Sequence, residues 1–165
     1  MLWILGTLVA LCALVYAVGA MMPEEHTATV TAEYHATPEA VWDVITQPRR
    51  FPEWRRGLKS VTVDGDRVTE VHERFGELSY RMTVFDRPRG FQTAGAGGRE
   101  QGFSGDWTFR LTPIDGGAGT RLEITEHGRV FSPLFRVMSK YVFGHETTLR
   151  NYHADLARRL HSSGT

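Results

Sequence analysis

Residues 132–160, SPLFRVMSKYVFGHETTLRNYHADLARRL, decide the fold. Ser132 is an N-cap residue with Pro133 behind it at the first helical position, and no proline follows. The spacing predicts one helix of about 29 residues, roughly 43 Å long. At 100° per residue Leu134, Phe135, Met138, Tyr141, Val142, His145, Leu149, Tyr152, Leu156 and Leu160 form one broad stripe, while Arg136, Lys140, Arg150 and Arg158 turn away from it. A packed core favours Leu, Ile and Val, whereas this stripe is rich in Met, Tyr and His. The rest of the chain has to supply the surface it lies against.

Upstream, HTATVTAEYHA (26–36) is rich in Thr, Val and Tyr and reads as a strand. Thr37 and Pro38 then open a short helix with Ala40, Val41, Val44 and Ile45 on its apolar side; Pro48 ends it, and RRFPEW forms a second helical turn. Asp64-Gly65-Asp66 and Phe75-Gly76-Glu77 are hairpin signals between strand-like runs. Leu78, Tyr80, Met82 and Val84 alternate with Glu77, Ser79, Arg81 and Thr83, giving a strand one apolar and one wet face. The same one-sided design puts Phe103, Trp107, Phe109 and Leu111 together on one later strand and Leu122 and Ile124 on the next, with Asp115-Gly116-Gly117 as the turn between them. The glycines of TAGAGGREQGFSG read as a hairpin tip. The order is α+β: an antiparallel sheet of about seven strands, one face of which the C-terminal helix must cover.

Nineteen basic and nineteen acidic residues cancel, so no global field attracts nucleic acid, which is not an expected partner. The single cysteine, Cys12, excludes an intrachain disulfide and leaves the redox compartment open. It lies in a run without charge from Leu2 to Met22, long enough as a helix to reach roughly 32 Å. The expectation is an uncleaved transmembrane anchor over residues 1–23 and a globular domain over 24–165, with single-pass membrane localisation. Its alternative is a cleavable signal peptide cut near Val18-Gly19-Ala20. No positive residue lies close enough to set orientation.

ATPEAVWDVITQPRRFPEW, GDWTFRLTP with GGAGTRLEITEHG, and SPLFRVMSKYVFG together resemble the START-like, Bet v 1-like superfamily, and within it the polyketide cyclase/dehydrase and lipid-transport type. The resemblance covers roughly residues 26–160. It implies a helix-grip: a curved antiparallel sheet wrapped around a long C-terminal helix, with an apolar cavity between them. It implies too that the soft stripe is a cavity wall, where Met and Tyr adapt to a small hydrophobic guest.

Tyr80, Met82, Trp107, Phe109, Glu126, Phe135, Met138, Tyr141, Val142 and His145 are the expected ligand-binding residues. His145 is the polar group on the stripe, able to bond a carbonyl or hydroxyl or to move a proton, and a satisfied core histidine is its bland counterpart. Glu126 shares strand parity with Leu122 and Ile124, so it points inward and needs a partner, with Arg129 or a Tyr hydroxyl at hand. Trp54 beside Pro52 reads as core. Arg49, Arg50, Arg55 and Arg56 form a basic cluster that reads as a solvated face. GAGGRE lacks the Lys-Ser/Thr of a phosphate loop, the seven histidines show no ligand spacing, and no Gly-x-Ser-x-Gly elbow occurs, so no cofactor and no metal are expected. Phe143, opposite the stripe, is a candidate contact residue.

The expected function is a membrane-anchored binding or carrier domain for a lipid, isoprenoid or polyketide-like molecule. The alternatives are a cyclase or dehydratase using His145 and Glu126 in the same cavity, with catalytic residues otherwise unknown, and an interaction module with a collapsed cavity.

Overall fold

A computed structural model describes the backbone of residues 2–73 and 76–163, and their side chains except those of Leu2, Leu5, Leu8, Val142, Phe143 and Ser163. After a helix α1 (Leu2–Met21) come β1 (Glu25–Tyr34), α2 (Pro38–Ile45) and a 3-10 segment (Pro48–Glu53). Six strands follow: β2 (Leu58–Asp64), β3 (Arg67–His72), β4 (Gly76–Asp86), β5 (Gly90–Gly98), β6 (Phe103–Ile114) and β7 (Gly119–Val130). All seven strands form one sheet in the order β1-β7-β6-β5-β4-β3-β2, and every neighbouring pair is antiparallel. This is the expected helix-grip sheet. The first two strands lie at opposite edges, so α2 and the 3-10 segment connect one edge to the other.

The alternation of the sequence sets the faces. Phe109 and Leu111 of β6 and Leu122 and Ile124 of β7 are buried on the inner face, against Val41 and Ile45 of α2 and Leu149 and Leu156 near the C-terminus. Each such side chain removed from water contributes about 1.5–3 kcal/mol. Thr37 caps α2 as its sequence predicts, its hydroxyl accepting the Ala40 N–H at 3.3 Å. The hairpin signal at Phe75 falls partly on Arg74 and Phe75, which lie outside the described residues; His72 pairs with Gly76 on either side. The GAGGRE tip is shifted: β5 runs to Gly98, which pairs with Phe103, and the turn falls on residues 99–102.

The expected 29-residue helix is broken. It becomes α3 (Pro133–Met138), a π-helical turn (Ser139–Phe143) and α4 (Thr147–Ser163). Gly144 between them has φ 72° and ψ 131°, a conformation that side-chain-bearing residues resist, and the helical phase of the stripe is lost there. Only α4 lies over the sheet, its backbone closest to β1, while α3 packs against α1 and the end of β7. Leu149, Tyr152 and Leu156 are therefore buried, whereas Leu134, Phe135 and Tyr141 are exposed. Ser132 has extended N-cap backbone, but its hydroxyl makes no cap bond.

The membrane reading is corrected. The apolar run is helical, yet among the described residues no helix is long and apolar enough to cross a membrane. What ties the end of α1 to the domain is Arg136, which the helical wheel placed in solvent and the fold buries. Its guanidinium donates to the carbonyls of Val130 (2.9 Å), Phe131 (3.0 Å), Gly19 (3.2 Å) and Met22 (3.3 Å) and to the Glu24 carboxylate (2.6 Å). Gly19 permits the approach, since a Cβ there would stand 2.0 Å from the Pro133 carbonyl oxygen.

Candidate functional site

Two carboxylates face the interior from the sheet, and their surroundings differ. Glu70 of β3 is 2% exposed and fully engaged. It pairs with Arg55, accepts the Tyr80 hydroxyl at 2.7 Å and meets His72 Nε2 at 2.8 Å. Burial by itself would raise its pKa; the Arg55 charge and then the His72 and Tyr80 hydrogen bonds outweigh that and hold it at about 2. The Arg55 guanidinium also lies over the rings of Phe51 (5.2 Å) and Tyr152 (5.3 Å), so it ties the 3-10 connection to α4 and β3. The basic cluster expected to be solvated is thus divided. Arg55 is interior, Arg56 donates to Asp155 through Nε (2.8 Å), Arg50 pairs with Glu53 on the surface, and Arg49 is exposed with a bond to the Val63 carbonyl.

Beyond Tyr152 the inner face is aromatic. Phe91 stacks on Phe109 with centroids 4.3 Å apart, and Tyr152 meets Trp54, Phe109 and Trp107 edge-on at 5.3, 5.7 and 5.9 Å. Such pairs add about 0.5–1.5 kcal/mol each beyond area burial. Trp54 is core, as expected, though its indole N–H has no partner among the described residues. Two concavities lie off this aromatic layer, one of about 90 Å³ between Asp43, Gln47, Trp54 and Arg159 and one of about 490 Å³ along β5 and β6 near Val84 and Pro113.

Past Trp107 the face changes character. Register sets Thr93, Trp107, Glu126 and Ala28 in one row across β5, β6, β7 and β1, and the next inward-facing row is Ala96, Gly105, Gly128 and His26. Three adjacent strands thus present nothing larger than a methyl group. A bulge in β5 between Thr93 and Ala96 bends the sheet at this place: Gly95 adopts φ 78°, and its N–H goes to the Asp106 carboxylate at 2.8 Å. Trp107 stands on one side of this row. On the other, the His26 ring lies over Gly128, where a Cβ would come within 2.3 Å of it, and stacks on His145 at 3.9 Å.

Glu126 stands beside this row. A Cβ on Gly105 would lie 3.5 Å from its Oε1, so the carboxyl leans over the glycine floor. Its recorded partner is the Trp107 side chain, whose only donor is the indole N–H, rather than the expected Arg129, which pairs with Glu25, or a Tyr. Burial raises its pKa, and the Trp107 bond offsets this in part. Burial first, then the charge of His145, lowers the pKa of His26, and burial first, then the charge of Lys140, lowers that of His145.

The expected ligand-binding residues are therefore spread out. Trp107, Glu126 and, through His26, His145 lie along the glycine row. Met82 and Phe109 are core, and Tyr80 is half-buried with its hydroxyl on Glu70. Met138 is half-buried at the end of α3, Phe135 and Tyr141 are exposed, and the side chains of Val142 and Phe143 lie outside those described. The glycine row and His26 escaped the sequence reading. The available signal was Gly105 two residues before Trp107 and Gly128 two after Glu126, both on the parity already assigned inward.

A family model described as polyketide cyclase / dehydrase and lipid transport matches residues 25–159. The chain belongs to that family. No curated protein matches it. Among solved structures, a conserved protein of Geobacillus kaustophilus aligns with TM-score 0.69 at 16% identity, over 84% of this chain and 97% of that one. A START superfamily protein of Mycobacterium smegmatis gives 0.66 at 14%, over 83% and 98%. Norcoclaurine synthase of Thalictrum flavum, in complex with a transition-state analogue, gives 0.66 at 11%, over 86% and 97%. At these identities the likeness is one of fold, and it agrees with the helix-grip sheet.

Proposed function

We propose that the chain binds a small, flat, largely apolar molecule in a trough floored by Ala96 and Gly105, between Trp107 and the His26–His145 stack that covers Gly128. The observation that carries this reading is the side-chain-free row beside a carboxyl that has no charged partner among the described residues. Within a close-packed interior such a strip leaves room for a ring. The family's description, which includes lipid transport, supports a hydrophobic guest. Trp107 supplies a stacking face, Glu126 fixes the orientation through one hydrogen bond, and Tyr152 closes the inner end.

The test fills the trough. Gly105→Ala adds a methyl in ordinary contact, with nothing nearer than 3.5 Å, and keeps the fold; Gly105→Leu occupies the floor. Protein purified without detergent is examined by native mass spectrometry, and thermal shifts are recorded with a lipid extract. The parent carries or gains an apolar guest, and Gly105→Leu loses it at least about tenfold. Equal capture by parent and Gly105→Leu refutes the site. A second reading, proton transfer on the bound molecule, is favoured by the raised pKa of Glu126. Turnover lost in Glu126→Gln with guest binding retained supports that one.

A further inference from the structure

Glu70 and Glu126 differ in one way that bears on the guest's chemistry. Glu70 has a cation and two further hydrogen-bonding partners. Glu126 has the Trp107 indole, and among the described residues no Lys or Arg is paired with it. Its neighbours on the inner face are Ala28 from β1, Trp107 and Gly105 from β6 and Gly128 along its own strand, none of them charged. His26 and His145 lie one row away and are pushed towards neutrality by burial. Arg129, the cation expected beside it, pairs with Glu25 instead, and Lys140 lies over the Tyr141 ring at 5.5 Å.

We propose that the trough selects a ring-bearing organic cation, the ring lying on the Gly105 floor against Trp107 and a protonated amine meeting the Glu126 carboxylate. A desolvated carboxylate without a counter-ion is costly, and a cation from the ligand removes that cost while aromatic faces beside it add attraction. The Trp107 indole occupies part of the carboxyl's capacity and leaves further lone pairs for the guest. An anionic head group would meet Glu126 directly and is disfavoured by the same argument. The inference rests on the trough reading and narrows it from any apolar molecule to one with a single positive charge.

Two soluble probes of nearly equal shape separate the ideas, 2-naphthylmethylamine and 2-naphthalenemethanol, titrated calorimetrically into the full chain at pH 7. A hydrogen bond to a charged partner predicts that the amine binds at least about tenfold more tightly than the alcohol. Glu126→Gln then brings the two within about twofold, the alcohol's affinity staying near its parent value. An alcohol that binds as well as the amine, or an amine preference that survives Glu126→Gln, overturns the cation assignment. If both probes still weaken in Gly105→Leu, the trough itself stands. Failure of both probes to bind the parent removes the assignment and the trough together.

Discussion

Replacing Glu70 by Gln tests the interior ion cluster in a way that the geometry makes quantitative. The carboxyl is 2% exposed and its pKa is held at about 2, against an ordinary 4.5. At about 1.4 kcal/mol for each tenfold change in proton affinity, the folded state gains about 3 kcal/mol from ionising this group. Because the folded pKa lies below the unfolded one, that gain is complete above about pH 5 and drains away as pH falls towards 2. At pH 3 roughly 2 kcal/mol of it is gone. Glu70→Gln removes it at every pH and strands Arg55 among Phe51, Tyr152 and Tyr80, so the cost at pH 7 is about 3–5 kcal/mol. Urea denaturation of parent and variant at pH 7, 5, 4 and 3 measures this. The difference between them is largest at pH 7 and contracts by roughly 2 kcal/mol at pH 3. Adding Arg55→Met to Glu70→Gln restores a large part of the loss, since the uncompensated charge leaves with its partner. A variant within about 1 kcal/mol of the parent at pH 7, or a difference that ignores pH, refutes the assignment of this cluster as a strut.

Arg136→Met leaves the carbonyls of Gly19, Met22, Val130 and Phe131 without their shared donor. Hydrogen exchange of the amides over residues 19–24 quickens at least about tenfold, while that of β6 stays near the parent rate; unchanged exchange at the end of α1 contradicts the clamp. Gly144→Ala forces a side chain into φ 72°, ψ 131° and costs about 1–3 kcal/mol by thermal or chemical denaturation. A variant as stable as the parent shows that the break between α3 and α4 does not depend on this residue.

Local chemistry was legible wherever a segment's neighbours in sequence decide its state. Thr37-Pro38 starts α2, the alternation in β6 and β7 separates inner from outer faces, that in β4 holds to Met82 but fails at Val84, which is exposed at φ 51° beside a register shift, and the family pattern gives the sheet its covering helix. The C-terminal stripe shows where this stops. Its periodicity is real on each side of Gly144, but a single glycine conformation resets the phase, and Arg136, on the wheel's wet side, becomes the most heavily bonded group at the α1 junction.

The sequence by itself determined the strands, the turn before α2 and the inward parity of Trp107 and Glu126, because alternation and caps act over a few residues. Tertiary structure decided which of those inward groups meet. The pairing of Ala96, Gly105, Gly128 and His26 joins strands far apart in the chain, and an absent side chain leaves no mark until register lines several absences up. The contrast between Glu70 and Glu126 arises in the same way, since a carboxyl's charge state follows from the cations and donors that folding brings to it.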